Sequence, residues 1–577
     1  MKKYLFLAVA LLGLASCTKE DIADSNKPIH GGEIEESYIA INLSASDITR
    51  ADDNPKFEDG TAEERAVNHV DFFFFDGAGN PFPVKVNDPN DGTTSEPGGN
   101  VNHLRAVDIS FNVDDTTAGD DISDSSEAVL LLKTYKGEYP SQIVAVLNWS
   151  PGNQAYSLDD LHLAVAIQGT FKNADNADTN YFVMSNAVYA QNGKAVYATP
   201  LSYDNIQKNA EDAKKTPVNI YVERVAAKVQ LDAKAKYDLS KSVDYQPLGG
   251  GTTIEGGVYA KILGWDLYRD NSQSLLLKKI DHTWTTDVAS GVGFNWNDAP
   301  WYRSYWAISM EAPENDQIFS THPFARGAHT YIGENTTGKT TCTKAVIKAQ
   351  LVTTDGNVDK PLELAIWNNI EYVDEVESDQ SKGGYSLRIA VANTLKYTYF
   401  SSNDDGKTFI GLTPEDLQCV TGGTTAAPAN VKANEVYFQL SVTGESKVWY
   451  KLENGVYKPM ADDLKPDPNG AIALNNALKS VPKAILYKNG ETFYYVDIKH
   501  LGAPNSVAEY GIVRNHFYNI IINSIGGYGS PVYTGVSYLE YPQITEQSTY
   551  VSAKINILSW KLVNQEVDIQ PQPQPNN

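Results

Sequence analysis

The sequence predicts an all-β protein built as two β-sandwich domains in tandem, and three observations carry that reading. Apolar and polar residues alternate in many short runs, which is the period of a strand with one buried face. The chain holds 34 Tyr, 18 Phe and 9 Trp beside 42 Gly and 27 Pro, a balance that suits short strands joined by turns. The runs are irregularly spaced with polar loops between them, as in a sandwich, and 577 residues exceed what one core can organise.

The first residues set the compartment. Lys2 and Lys3 precede an apolar run from Tyr4 to Ala15. That run is shorter than the ~20 residues a bilayer-spanning helix needs, so it reads as a secretory signal. It closes on Leu14-Ala15-Ser16-Cys17. This tetrapeptide resembles a bacterial lipobox, which implies cleavage before Cys17 and acylation of its thiol. Lys19-Glu20-Asp21 resembles the signal that sends lipoproteins of Bacteroidota to the outer face of the outer membrane.

Residues 18–36 are polar, with Pro28, Gly31 and Gly32, and read as a tether. Ser37 to Ala45 is a strand with Ile39, Ile41, Leu43 and Ala45 on one face. Arg50 follows, a single basic residue between that strand and the polar segment that opens at Ala51. Joints of this kind are where proteases cut most readily; taken alone, Arg50 reads as an ordinary surface arginine.

A first sandwich is expected over 51–235, from the strands Asn68–Phe75, Ala128–Lys133, Gln142–Asn148, Tyr181–Met184 and Val218–Leu231, with a short helix over Leu158–Gly169. A Gly-rich linker from Lys236 to Gly251 leads to a second sandwich over 236–577. Its expected strands are Val258–Tyr268, Trp301–Ala307, Lys344–Val352, Leu387–Ala392, Val436–Leu440, Ala484–Tyr487 and Thr492–Ile498, followed by the run Ser506–Asn523. Ser401 to Val481 reads as an elaboration on it. The last strand, Tyr550 to Val563, places Val551, Ala553, Ile555 and Ile557 on one face; the parity then flips to Leu558, Trp560 and Leu562, as at a bulge. A good strand beside a Pro-rich end can pair within its own molecule or with a neighbour's open sheet edge, and we expect the neighbour.

Composition excludes several chemistries. Lys plus Arg number 47 against 72 Asp plus Glu, a net charge of −25 that repels phosphate backbones, so no nucleic-acid partner is expected. Gly333 to Thr340 matches the phosphate-loop pattern G-x-x-x-x-G-K-[ST]. That motif needs a helix starting at its lysine, yet the residues that follow alternate like a strand, so a hairpin turn explains it. The nine histidines are scattered, with no H-E-x-x-H and no G-x-S-x-G, so neither a metal site, a cofactor nor a catalytic residue is assigned and the chain is read as a non-enzyme. Cys342 and Cys419 allow either one disulfide or two buried thiols.

Taken together, the Cys17 lipobox, the strand ending near Arg50, Y-V-E-R-V-A-A-K-V at Tyr221 to Val229, Y-G-I-V-R-N-H-F-Y-N-I at Tyr510 to Ile520 and the closing strand with Trp560 resemble the fimbrilins of Bacteroidales, the subunits of type V pili, and more closely their minor-fimbrilin (Mfa) branch than the FimA branch. The resemblance implies two transthyretin-like sandwiches and a lipoprotein precursor held in the outer membrane through its lipid. It implies a cut by an Arg-specific protease between Arg50 and Ala51 that removes the strand carrying Ile39, Ile41, Leu43 and Ala45. The slot so opened would receive the donor strand of another copy or of a related anchor or tip subunit, through Val551, Ala553, Ile555, Ile557, Trp560 and Leu562. The two strands offer apolar groups at the same period, so one can replace the other face for face, and a head-to-tail contact that does not close makes a filament. Such a fimbria would serve adhesion and biofilm formation at the cell surface. The alternatives are a monomeric surface glycan-binding lipoprotein using Trp301, Tyr302 and Trp306 as a platform, and a secreted hydrolase.

Overall fold

The computed structural model describes residues 34–44, 57–58, 60–84, 101–107, 112–113, 124–167, 181–187, 189–191, 194–239, 254, 256–279, 309, 329–336, 338–368, 370–373, 385–422, 431–432, 434–462, 464–500, 509–531 and 560–569. Over these residues the protein is mostly β, and the strands enclose three hydrophobic cores.

The N-terminal body is one long β path. It runs, in space, through His103–Val107, His69–Phe75, Gln142–Leu147, Met184–Asn186, Val218–Arg224, Ile34–Ser44, Asp124–Tyr135 and Asn112–Val113. Phe72 and Val144 near one end of the path share a single core with Ile41 and Leu132 near the other, all four fully buried, so the twisted sheet wraps back on itself. His69–Phe75 is buried at every position, which its four consecutive phenylalanines require. The helix expected over Leu158–Gly169 is confined to Leu158–Leu163. Its start is fixed by a capping box: the Asp160 amide donates to the Ser157 hydroxyl at 3.1 Å, and the Ser157 amide donates to the Asp160 carboxylate at 2.7 Å.

The C-terminal sandwich faces two sheets across one core. One has the order His329–Ile332, Ala227–Ala233, His516–Ile525, Trp560–Ile569, Phe57–Glu58; the other has Lys236–Asp238, Tyr259–Tyr268, Lys344–Asp355, Glu491–Asp497, Ser530–Pro531. Val229, Leu231 and Ile520 from the first meet Ile262, Trp265, Leu351 and Tyr494 from the second. The run read as one strand, Val218–Leu231, is therefore two strands in different bodies. Alternation fails at Val225-Ala226-Ala227, where consecutive residues are all buried, and the chain crosses from one core to the other there.

The section read as an elaboration carries a core of its own. Val358–Pro361 and Glu491–Asp497 both pair with Lys344–Asp355, and residues between them form a third body around Trp367, Phe438, Trp449 and Leu486. The strand expected at Leu387–Ala392 is instead the helix Tyr385–Leu395: Leu387, Val391 and Ala392 are buried, a spacing that puts them on one helical face. A second helix, Ala471–Leu478, buries Ala471, Leu474 and Leu478 in the same way. The expected strand Trp301–Ala307 lies outside the described residues. Among those described, no helix is long and apolar enough to cross a membrane.

Candidate functional site

The strand Ile34–Ser44, here β1, has a neighbour on each side. It runs antiparallel to Asp124–Tyr135 along its whole length, from Ile34 opposite Tyr135 to Ser44 opposite Ser125, and parallel to Val218–Arg224 from Ile41 opposite Val218 to Ser44 opposite Tyr221. Ile39 and Ile41 are 0% exposed and pack into the core with Leu130, Leu132 and Ile220. On the opposite face Ala40 is also buried, and the Tyr38 backbone exchanges two hydrogen bonds with Gln207, at 2.6 and 2.9 Å. The Lys133 ammonium lies 3.4 Å from Glu36, and the Tyr139 hydroxyl donates to Glu35 at 3.2 Å. This seat holds a strand, and withdrawal of that strand would leave two unpaired sheet edges and a hole where two isoleucines had been worth about 1.5–3 kcal/mol each.

The described part of the tail strand spans Trp560–Ile569 and runs past the expected end at Val563, while Tyr550 to Ser559 of the expected strand Tyr550–Val563 lie outside the described residues. It pairs in parallel with His516–Ile525, from His516 opposite Lys561 to Ile525 opposite Ile569, with a register shift between Ile522 and Ser524. On its other side lies the two-residue strand Phe57–Glu58, here β2, with Phe57 opposite Lys561 and Glu58 opposite Trp560. Trp560 and Leu562 are thus placed in an intramolecular strand. Leu43 pairs in β1 opposite Ile220 and Ser126. Cys17, Ala45, Arg50, Ala51, Val551, Ala553, Ile555 and Ile557 lie outside the described residues, as do Trp301, Tyr302 and Trp306.

Where the N-terminal body meets the sheets that carry Ala227–Ala233 and His516–Ile525 sits a buried polar joint that the sequence reading did not assign. The one-turn helix Ala62–Arg65, α1, begins at a capping box in which Thr61 and Glu64 satisfy each other's amides. Glu64 is 1% exposed; the Tyr331 hydroxyl donates to its carboxylate at 2.5 Å and the Lys228 ammonium lies 3.0 Å away. Arg224 donates to the Glu64 carbonyl at 2.8 Å and to Asn515 at 3.2 Å. Arg514, fully buried, pairs with Glu334 at 2.6 Å and donates to the carbonyls of Leu275 and Leu276 at 2.6 and 3.1 Å. Lys278 lies 3.4 Å from Glu223, both buried. Burial pushes the Glu64 carboxyl up, but the hydrogen bonds of Tyr331 and Thr61 with the charge of Lys228 outweigh it and hold the pKa at about 2. Burial and the Glu64 carboxylate push the Tyr331 hydroxyl up. Burial raises Glu223 against the opposing pull of Lys278. Part of the signal was present in V-E-R-V-A-A-K-V and V-R-N-H-F-Y-N: their charged members Glu223, Arg224, Lys228 and Arg514 all belong to this joint.

Other candidates dissolve on inspection. The Gly333 amide donates to the Asn271 carbonyl at 2.7 Å, and a Cβ there would stand 2.4 Å from the Gln273 carbonyl oxygen. After the phosphate-loop pattern the chain enters the strand Lys344–Asp355, so no helix begins at Lys339. Cys342 and Cys419 are both buried and not joined to each other in a disulfide, and burial pushes Cys342 up to about 12. Among the described residues no group of three or more His, Cys, Asp or Glu could hold a metal ion.

A family model described as the C-terminal part of fimbrillin, major fimbrial subunit protein type IV, matches residues 485–566. The match takes in Glu491–Asp497, His516–Ile525 and most of the tail strand. No curated protein sequence matches the chain. Among solved structures, a fimbrilin from Porphyromonas gingivalis W83 aligns over 94% of this chain and 98% of its own at 11% identity, with a TM-score of 0.32. A fimbrial assembly protein from Parabacteroides distasonis ATCC 8503 aligns over 59% of this chain and 86% of its own at 13% identity, with a TM-score of 0.26.

Proposed function

We propose that the chain is a structural subunit of a surface fimbria, made as an outer-membrane lipoprotein precursor acylated at Cys17 and matured by a cut between Arg50 and Ala51. The match of residues 485–566 to the fimbrillin C-terminal model is the observation that carries the reading. The seat of β1 supports the mechanism: a strand that fills a sheet between two neighbours, and that precedes a lone arginine, is suited to removal and replacement. After the cut, Ile39, Ile41, Leu43 and Ala45 leave, and a second copy supplies Val551, Ala553, Ile555 and Ile557, with Trp560 and Leu562 following. Because residues 560–569 are paired inside their own sandwich, donation of Trp560 and Leu562 requires that ladder to open.

The test is limited proteolysis of the purified full chain with trypsin. The expected result is a product whose N-terminus is Ala51 and which forms SDS-resistant ladders, with ladders lost on truncation before Tyr550. A cut product that stays monomeric at all concentrations would refute the reading.

A further inference from the structure

Both partners of the proposed exchange are blocked in the uncut chain, and neighbouring pieces of one stretch block them. β1 fills the N-terminal body. β2, the next described strand in the chain, lies along Trp560 and Lys561 of the tail strand in the C-terminal sandwich and is the outermost described strand of that sheet. Residues 45–56 join the two, and Arg50 stands among them. Downstream, α1 is fixed at the joint through Glu64.

We propose that β2 is a latch on the tail strand, so that one cut between Ser44 and Phe57 both empties the N-terminal slot and loosens the tail for donation to a second copy. The inference rests on the fimbrial reading for where the cut falls. A ladder of two residue pairs is too short to persist by itself. It persists because the chain on either side of it is anchored, upstream by β1 and downstream by α1, which keeps the effective concentration of β2 at the tail high. Once the chain is cut and β1 has left, β2 lies close to a free end and frays as termini do. The tail strand then keeps only its parallel ladder with His516–Ile525, and its first residues become a sheet edge. Those first residues lead out of Tyr550 to Ser559, the segment that must move first if the tail is to be donated.

The experiment is amide hydrogen exchange read by mass spectrometry on the full chain, with a site-specific protease sequence inserted after Arg50. After the cut and loss of β1, exchange over 560–562 should quicken at least tenfold while Glu491–Asp497 in the facing sheet stays unchanged. Phe57→Pro removes a backbone donor from β2 and should give the same quickening in the uncut chain without altering exchange over Ile34–Ser44. Phe57→Cys with Lys561→Cys, joined as a disulfide across directly opposed residues, should keep the tail slow after the cut until a reductant is added. Unchanged exchange over 560–562 after the cut, or equal quickening over Glu491–Asp497, overturns the latch. Ladders formed by the cut chain with its disulfide intact also overturn it and leave the fimbrial reading standing. Quickened exchange with no ladders in any chain supports the latch and overturns the fimbrial reading.

Discussion

Ile41 gives the sharpest handle on the seat of β1. Its side chain is fully buried beside Ile39, Leu130 and Ile220, and Ile41→Ala deletes three carbons from a packed core. Large-to-small changes of this kind cost about 2–5 kcal/mol. Before the cut, that cost appears as lower stability of the N-terminal body. After the cut, β1 is held only by non-covalent contacts, so the same cost appears in its release. At about 1.4 kcal/mol per factor of ten, the substitution should speed dissociation of the cleaved N-terminal segment by ~30-fold to ~4,000-fold. The assay is fluorescence anisotropy of a dye placed on the chain upstream of β1, followed after rapid cleavage. A release rate within threefold of the parent would refute the claim that Ile41 anchors β1, and with it the account of the slot.

Other outcomes test the joint and the thiols. Arg514→Ala leaves Glu334 buried without its counter-charge and should cost about 3–5 kcal/mol in urea unfolding, part of which Glu334→Gln in the same chain restores. The Glu64 carboxyl is held at about 2 against an ordinary 4.5, so it adds stability that is complete above the unfolded value and is lost as pH falls from 4.5 towards 2. Glu64→Gln should flatten the melting temperature across that window and lower it at neutral pH, where Lys228 loses its partner; an unchanged slope would remove Glu64 from the joint's energetics. Cys342 and Cys419 should react with a thiol reagent only after unfolding, and a reductant should leave the melting temperature unchanged.

Strands with one buried face were legible because their period survives in the sequence. Tyr259–Tyr268 and Lys344–Asp355 lie within two or three residues of where alternation puts them, and Ile39 and Ile41 point into the core as their spacing requires. Reading failed where period carries no information. L-R-I-A-V-A is a short apolar run that a strand and a buried helix share, and only packing in the third core selects the helix Tyr385–Leu395. β2 has two residues, too few for any period, yet it lies along the tail. Glu64, Arg514 and Glu334 received no role from the sequence, because a sequence does not show which carboxylate has a lysine or arginine folded against it.

The direction of β1 constrains how any replacement enters. It is antiparallel to Asp124–Tyr135 over eleven pairs and parallel to Val218–Arg224 over four. A strand entering in the same sense keeps both ladders as they are. A reversed strand would have to build its longer ladder in the parallel form, whose slanted bonds are slightly weaker per residue, and to re-pair with Val218–Arg224 in a register that segment has not adopted. Same-sense entry is therefore favoured on both edges. If every incoming tail takes that sense, each copy adds in one orientation to the last, and the head-to-tail contact builds a filament wherever its rotation does not close a ring. The assembly so built has an unfilled slot at one end and an unplaced tail at the other, which makes its two ends chemically different and confines growth by this contact to the addition of like-oriented copies.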